Sequence, residues 1–231
     1  MTRDRLDPSR RAWLGMLARG VLGTAAGGAA WAMRARRALA QQAPGGGMRR
    51  IEGRVTVNGR EARVGMPVAP GGIVETGPGA MAVFVVHRDV FLLRAGGRLE
   101  TSGDAAVELM RLLTGALLSV LGPGNRRMET RNATLGVRGT ALYVESEPER
   151  TYVCTCYGTV DLGSADNPPV RETVTTRYHD APRYIHSGVG SPERIIVKAP
   201  VINHTDAELI LLESLVGREP PFLGPGYQQR Y

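Results

Sequence analysis

The sequence predicts an all-β chain, a Gly-rich sandwich or solenoid-like roll of short strands that ends in one short α-helix. Three observations carry this. Turn signals built from Gly, Pro and Asn recur every several residues between Ile51 and Gly163, the spacing of short strands joined by tight turns. The runs between them are rich in Val, Ile, Thr and Tyr, which suit a pleated, half-buried surface. A clear 3.6-residue apolar period appears only near the C-terminus.

The elements follow in chain order. Arg54–Val57 leads into Asn58-Gly59 and resumes at Glu61–Val64, a hairpin whose two central residues favour positive φ. Pro70-Gly71-Gly72 turns into Ile73–Thr76, and Gly77-Pro78-Gly79 turns again. Ala80–Val86 and Val90–Leu93 form a second hairpin around His87-Arg88-Asp89, with Gly96-Gly97 and Arg98–Glu100 after it. Asp104–Leu121 opens like a helix, yet Gly115–Leu121 also reads as a buried strand, and periodicity does not choose between them. Ala141–Val144 and Thr151–Tyr157 flank the charged turn Ser146–Arg150, again a hairpin. Just before it, Gly136 and Gly139 bracket Val137-Arg138, where a bulge or close backbone approach is expected. Thr205-Asp206-Ala207-Glu208 is a helix start with a capping hydroxyl and early acids. Leu209, Leu212, Leu215 and Val216 share one face, and Gly217 stops the helix before Pro220-Pro221.

The N-terminus reads as an export signal over residues 1–40. Ser9-Arg10-Arg11-Ala12-Trp13-Leu14 resembles the twin-arginine motif, with Arg10 and Arg11 as its pair. A weakly apolar, Gly/Ala-rich stretch follows, and Ala38-Leu39-Ala40 matches a small-x-small peptidase site with cleavage after Ala40. Arg19 leaves Gly20–Met33 too short for a span of about 30 Å of hydrocarbon, so no stable transmembrane span is expected in the mature chain. An uncleaved anchor is the alternative. Residues 41–47 (QQAPGGG) read as a flexible tether, 48–200 as the β domain and 201–231 as the C-terminal helix and tail.

Processing changes the charge. The chain carries 29 Lys+Arg against 22 Asp+Glu, a formal +7; residues 1–40 hold eight arginines against Asp4 and Asp7, which leaves 21 basic and 20 acidic side chains beyond them. A nearly neutral mature chain gives no reason to expect nucleic acid as a partner.

Enzyme signatures are missing: no Gly-x-Ser-x-Gly, His-Glu-x-x-His, phosphate-binding loop or dinucleotide fingerprint occurs. The single lysine, Lys198, is the only candidate amine nucleophile, and its apolar neighbours do not favour it. A non-catalytic role without a cofactor is expected.

Cys154-Thr155-Cys156 is the best candidate site. On a strand, residues i and i+2 face the same side, so two thiolates could hold one soft ion, zinc or Cu(I). His179 offers a third ligand and His186 a fourth. Three readings stand: buried structural thiols, a disulfide that would need a local bulge to bring the Cα atoms within range, or a metal or haem site using Cys154, Cys156 and His179. Arg138 is a candidate carboxylate binder, or else a turn residue paired with an acid such as Glu145. Tyr157, with Tyr152, Tyr178 and Tyr184, could line a ligand groove, though half-buried strand tyrosines are common. His179-Asp180 is a poor acid–base pair, since adjacent strand residues point apart. Asn132-Ala133-Thr134 and Asn203-His204-Thr205 match a glycosylation acceptor by chance.

The segment Asn132–Leu162, with its Gly136-Val137-Arg138-Gly139-Thr140 element and a return strand ending in Tyr157-Gly158, resembles the periplasmic domain of FecR-type proteins, regulators of iron-citrate uptake. The likeness extends back through Val55–Gly59 and Ile73–Gly77 to Ile51. The resemblance implies an exported, periplasmic binding or signalling module that acts on an envelope protein or small ligand. Full-length regulators of that kind also carry a cytoplasmic sigma-factor-binding region and a receptor-contacting domain. With about ten residues ahead of the signal and one short C-terminal helix, only the β module is expected to carry over.

Overall fold

The computed structural model describes residues 46–103, 108–179 and 181–229. The proposed signal, with Arg10, Arg11 and Ala40, lies outside the described residues, as do Asp180 and the first five residues of the tether. The chain is all-β, with fourteen strands in one connected sheet and two helices among the described residues.

β1 (Gly47–Glu52) pairs with β5 (Met81–Val86), and β5 turns through His87-Arg88 into β6 (Asp89–Leu93). β2 (Val55–Val57) and β3 (Arg60–Glu61) form the Asn58-Gly59 hairpin, in which φ is 50° and 74° at the two central residues. That is the doubly positive pair the sequence demanded, and it matches the twist of the flanking strands. β4 (Ile73–Thr76) bridges β2 and β7 (Arg98–Ser102).

Three long strands then organise the rest. The undecided segment resolves as β8 (Leu109–Val120). Its first half alternates in and out against β7, and its second half, Leu117–Val120, is buried on both faces between β6 and β10 (Ala133–Ser146). Two-sided burial makes the run continuously apolar, which erased the period-2 signal. β9 (Asn125–Glu129) runs parallel to β8 and antiparallel to β10; every other pairing of the sheet is antiparallel. β11 (Arg150–Ser164) pairs with β10, β12 (Arg171–Thr176) and β13 (Arg183–His186). Helix α1 (Pro192–Ile195) and β14 (Ile196–Lys198) follow, and α2 (Asp206–Ser214) closes the fold.

The strands present two apolar faces. Phe84, Phe91, Leu99, Leu112, Leu117, Leu142 and Val144 belong to the main core enclosed by the sheet. The alternate residues Val83, Val85, Leu92, Leu118, Val120, Tyr143, Tyr152 and Cys154 form a second cluster, covered by Leu209 and Leu212 of α2. Thr205 caps that helix with a full capping box: Glu208 N–H donates to Thr205 Oγ1, and Thr205 N–H donates to Glu208 Oε2. Gly217 (φ 68°) ends the turn after it. Among the described residues no helix is long and apolar enough to cross a membrane.

A candidate metal centre under the C-terminal helix

The β10–β11 ladder contains two irregularities, and they are complementary. Between the pairs Arg138↔Thr159 and Ala141↔Tyr157, β10 carries one extra residue; between Ala141↔Tyr157 and Leu142↔Thr155, β11 carries one extra, Cys156. The first bulge sits at Gly139 (φ 47°), where a bulge was expected from the glycines. Facing it, Gly158 (φ 97°) lies where an added Cβ would come within 2.5 Å of the Thr140 side chain, so only glycine fits. The second bulge turns Cys156 and its neighbour Tyr157 to the same face as Cys154, all three in the second apolar cluster.

That bulge also places His179. The His179 N–H donates to the Cys156 carbonyl at 3.0 Å, and His179 is held at φ 50°, a left-handed conformation uncommon outside glycine. The ring is buried beside the thiols, with Nδ1 3.5 Å from Cys154 Sγ. His204, two residues before α2, arrives from the other side: its Nε2 lies 3.0 Å from His179 Nδ1. Tyr143 stacks on the His204 ring at 4.7 Å. The donor atoms of Cys154, Cys156, His179 and His204 all fall within 4.8 Å of one another, and all four residues are buried.

The hydrogen bonds assign the tautomers. His204 Nδ1 is 2.7 Å from the Ile202 carbonyl, which can only accept, so the proton is on Nδ1 and the lone pair is on Nε2. Asp206 is fully buried, and its Oδ2 accepts hydrogen bonds from Tyr178 Oη at 2.5 Å and Tyr227 Oη at 2.8 Å. Its Oδ1 lies 3.2 Å from His179 Nε2, at ion-pair distance though off the line of a hydrogen bond. His179 Nδ1–H donates to the His204 Nε2 lone pair at 3.0 Å; an ion taking the place of this proton would move it to His179 Nε2, where the Asp206 carboxylate favours it. Two sulfurs lie beside this imidazole pair, and four buried donor atoms gathered within 4.8 Å could hold a metal ion in place of the shared proton.

The thiols are unequal. Cys154 is drawn well below the ordinary thiol range, first by its hydrogen bond with Cys156, then by His179 and His204, all acting against burial. Burial pushes Cys156 well up, and the neighbouring Cys154 adds to it. Both cysteines are free thiols, not a disulfide.

The structure thus gathers Cys154, Cys156 and His179 and replaces the expected fourth residue. His186 lies on β13 opposite Arg150, beside the Tyr184 ring; His204 takes the fourth place. The signal for His204 was its position just ahead of a strong helix cap, but it sat inside a pattern read as a chance glycosylation acceptor. Among the described residues, Asp206 is the carboxylate that faces His179; Asp180 lies outside them. Arg138 pairs with Asp161 at 2.8 Å and not with Glu145, which accepts instead from Tyr143 and Asn203. The Arg138 side chain is exposed beside a shallow depression shared with Asn125 and Asp161. Tyr157 turns inward, and its hydroxyl donates to Glu213, which Arg218 also holds.

No protein-family model matches the chain, and no curated protein matches it. Two crystal structures of a protein from Parabacteroides distasonis ATCC 8503, provisionally described as an anti-sigma factor, are similar in part. One overlaps 55% of this chain and 58% of its own, less than two thirds, at 14% identity with a TM-score of 0.44. The other overlaps 62% and 73%, also at 14% identity, with a TM-score of 0.45. Likeness at this level carries no argument about role.

Proposed function

We propose that this is an exported, non-catalytic binding module of the bacterial cell envelope that holds one zinc ion through Cys154, Cys156, His179 and His204. The observation that carries the metal reading is the convergence of four buried donor atoms, two sulfurs and two imidazole nitrogens, within 4.8 Å. Tetrahedral bonds of about 2.3 Å to sulfur and 2.0–2.1 Å to nitrogen would set donors roughly 3.3–3.8 Å apart; the observed 3.0 and 3.5 Å contacts are already near that spacing.

Charge selects the ion. Two thiolates and two neutral imidazoles neutralise a divalent cation, whereas Cu(I) would leave a buried negative charge. Donors packed this closely leave no room for a porphyrin between them, which disfavours the haem reading. Four protein ligands also leave no open coordination position, the arrangement of structural sites and not catalytic ones. Asp206 acts as a positioning residue through His179.

The envelope assignment rests on the Arg10-Arg11 motif and the Ala40 site, and the binding and signalling role on the FecR-like segment Asn132–Leu162. In this reading the partner is an envelope protein or a small ligand. Elemental analysis of the full chain purified from zinc-supplemented cells tests the metal reading: one zinc per chain is expected, lost in the Cys154→Ser/Cys156→Ser double variant. Metal far below one per chain in the wild type would overturn it. N-terminal sequencing of the exported form should begin at Gln41; retention of Arg10 and Arg11 in that form would refute the cleaved signal.

A further inference from the structure

Each part of the metal cluster comes from a different stretch of chain. Cys154 and Cys156 belong to β11 in the middle of the sheet, and His179 to the loop after β12. His204 lies 25 residues further on, at the head of the C-terminal segment. Through His204, an ion would join that segment to the sheet. Asp206, the first residue of α2, adds a second tie at the same spot through His179 and Tyr178. The tail returns to it as well, since Tyr227 donates to Asp206 and Phe222 packs on Tyr178.

Away from this knot the segment is held by one short helix, partly buried apolar residues and a set of polar ties. The helix has nine residues, too few to hold itself without tertiary support. It buries only Leu209 and Leu212 as full apolar anchors. The segment's remaining ties are polar: the buried Tyr157 hydroxyl to Glu213, the Tyr152 hydroxyl to the Pro200 carbonyl, and the more exposed Arg94 to the Asn203 carbonyl and Glu208 and Arg218 to the Arg88 carbonyl. What it covers is apolar: Leu118, Val120, Tyr143 and Tyr152 lie beneath this segment on the outer face of the sheet.

Resting on the zinc reading above, we propose that the ion is a latch that fastens residues 199–229 onto the outer face of the sheet, so that its loss frees the segment and uncovers that face. The cation would replace the His179–His204 hydrogen bond as the link between the sheet and the C-terminal segment. His204 is the one ligand that segment carries, since Cys154 and Cys156 lie on β11 and His179 is tied to β11 through its N–H to the Cys156 carbonyl. The main core on the opposite face contains none of the ligands, so the sheet itself persists. Metal state is thereby converted into the exposure of an apolar surface.

Hydrogen exchange read by mass spectrometry on the full chain, with zinc and after removal of zinc by a chelator, tests this. Peptides spanning 199–217 should exchange about tenfold or more faster in the metal-free protein, with local opening confined to that segment. β4 and β7, whose Val74 and Leu99 belong to the main core, should be unchanged, and added zinc should restore protection. A His204→Ala chain should show the same local loss even in zinc. One zinc per chain with unaltered exchange over 199–217 would refute the latch and leave the metal reading intact. Exchange that rises equally in β4 and β7 would also refute it, since the ion would then hold the whole fold. A chain that binds no zinc would remove both readings.

Discussion

Replacing Asp206 by Asn tests the role of the carboxylate beside His179 with almost no change of shape. Asp206 is fully buried, its Oδ2 accepts from Tyr178 and Tyr227, and its Oδ1 sits 3.2 Å from His179 Nε2. An asparagine keeps one acceptor for the two tyrosines and turns its amide N–H₂ toward Nε2. A donor there favours the His179 tautomer with its proton on Nδ1, which points into the cluster and blocks the metal-binding lone pair. Loss of a group that orients a metal-bound histidine costs about 10–100-fold in affinity, or about 1.4–2.8 kcal/mol. At free zinc 100 times the wild-type Kd, binding stabilises the wild type by about 2.7 kcal/mol, against about 1.4 or 0.4 kcal/mol for a variant weakened tenfold or a hundredfold. For a domain of this size that is a zinc-induced rise in Tm of about 5–11 °C, reduced to about 3–6 °C or 1–2 °C. Thermal melts across a zinc titration, with chelator competition for Kd, measure both quantities. A Kd within about threefold of wild type in a folded Asp206→Asn chain would refute the orienting role.

Three further outcomes follow from the geometry. His186→Ala should leave the zinc Kd unchanged, whereas His204→Ala should weaken it more than Asp206→Asn does; the reverse order by chelator competition would dismiss the fourth ligand assigned here. Gly158→Ala should lower stability by about 3 kcal/mol or more, because it adds a clash with Thr140 to a positive φ. Gly188→Ala, with open space around it, should cost only about 1–2 kcal/mol; urea midpoints at constant m-value decide between them. Asp161 should titrate below the ordinary carboxylate value of about 3.9, held down first by the Thr173 hydroxyl and then by Arg138. Its stabilising effect is therefore present above about pH 4 and fades as pH falls through the lowered pKa. NMR should find that Thr173→Ala and Arg138→Ala each raise that pKa, and an unchanged value in either variant would contradict the assignment.

Local chemistry was legible where one or two residues decide the backbone. Asn58-Gly59 and the Thr205–Glu208 box each specify their geometry within four residues, and both formed as expected. The strand parity that put Cys154 and Cys156 on one face was also readable, although the bulge at Cys156 is what aims the second sulfur. Leu109–Val120 resisted reading because burial on both faces leaves a pattern that helix and strand share. The choice of His204 over His186, of Asp206 as the carboxylate facing His179, and of Asp161 over Glu145 for Arg138 depends on pairings 23 to 27 residues apart along the chain. Such choices are fixed by sheet register and by where the helix docks, neither of which any local window contains.

The two bulges between β10 and β11 have an evolutionary consequence. The extra residue at Gly139 moves the ladder by one place, and the extra residue at Cys156 moves it back, so Leu142↔Thr155 resumes the register of Leu135↔Leu162. Substituting Cys156 leaves this accounting intact: lineages can gain or lose the sulfur without rebuilding the sheet. Deleting it does not, because a lone bulge would turn every later side chain of the strand to the opposite face. A one-residue gap at 156 should therefore survive among relatives only when matched by a gap at 139 or 140. The extra residue at the backbone glycine and the extra residue on the neighbouring strand are thus expected to be kept or lost together, whatever side chain stands at 156.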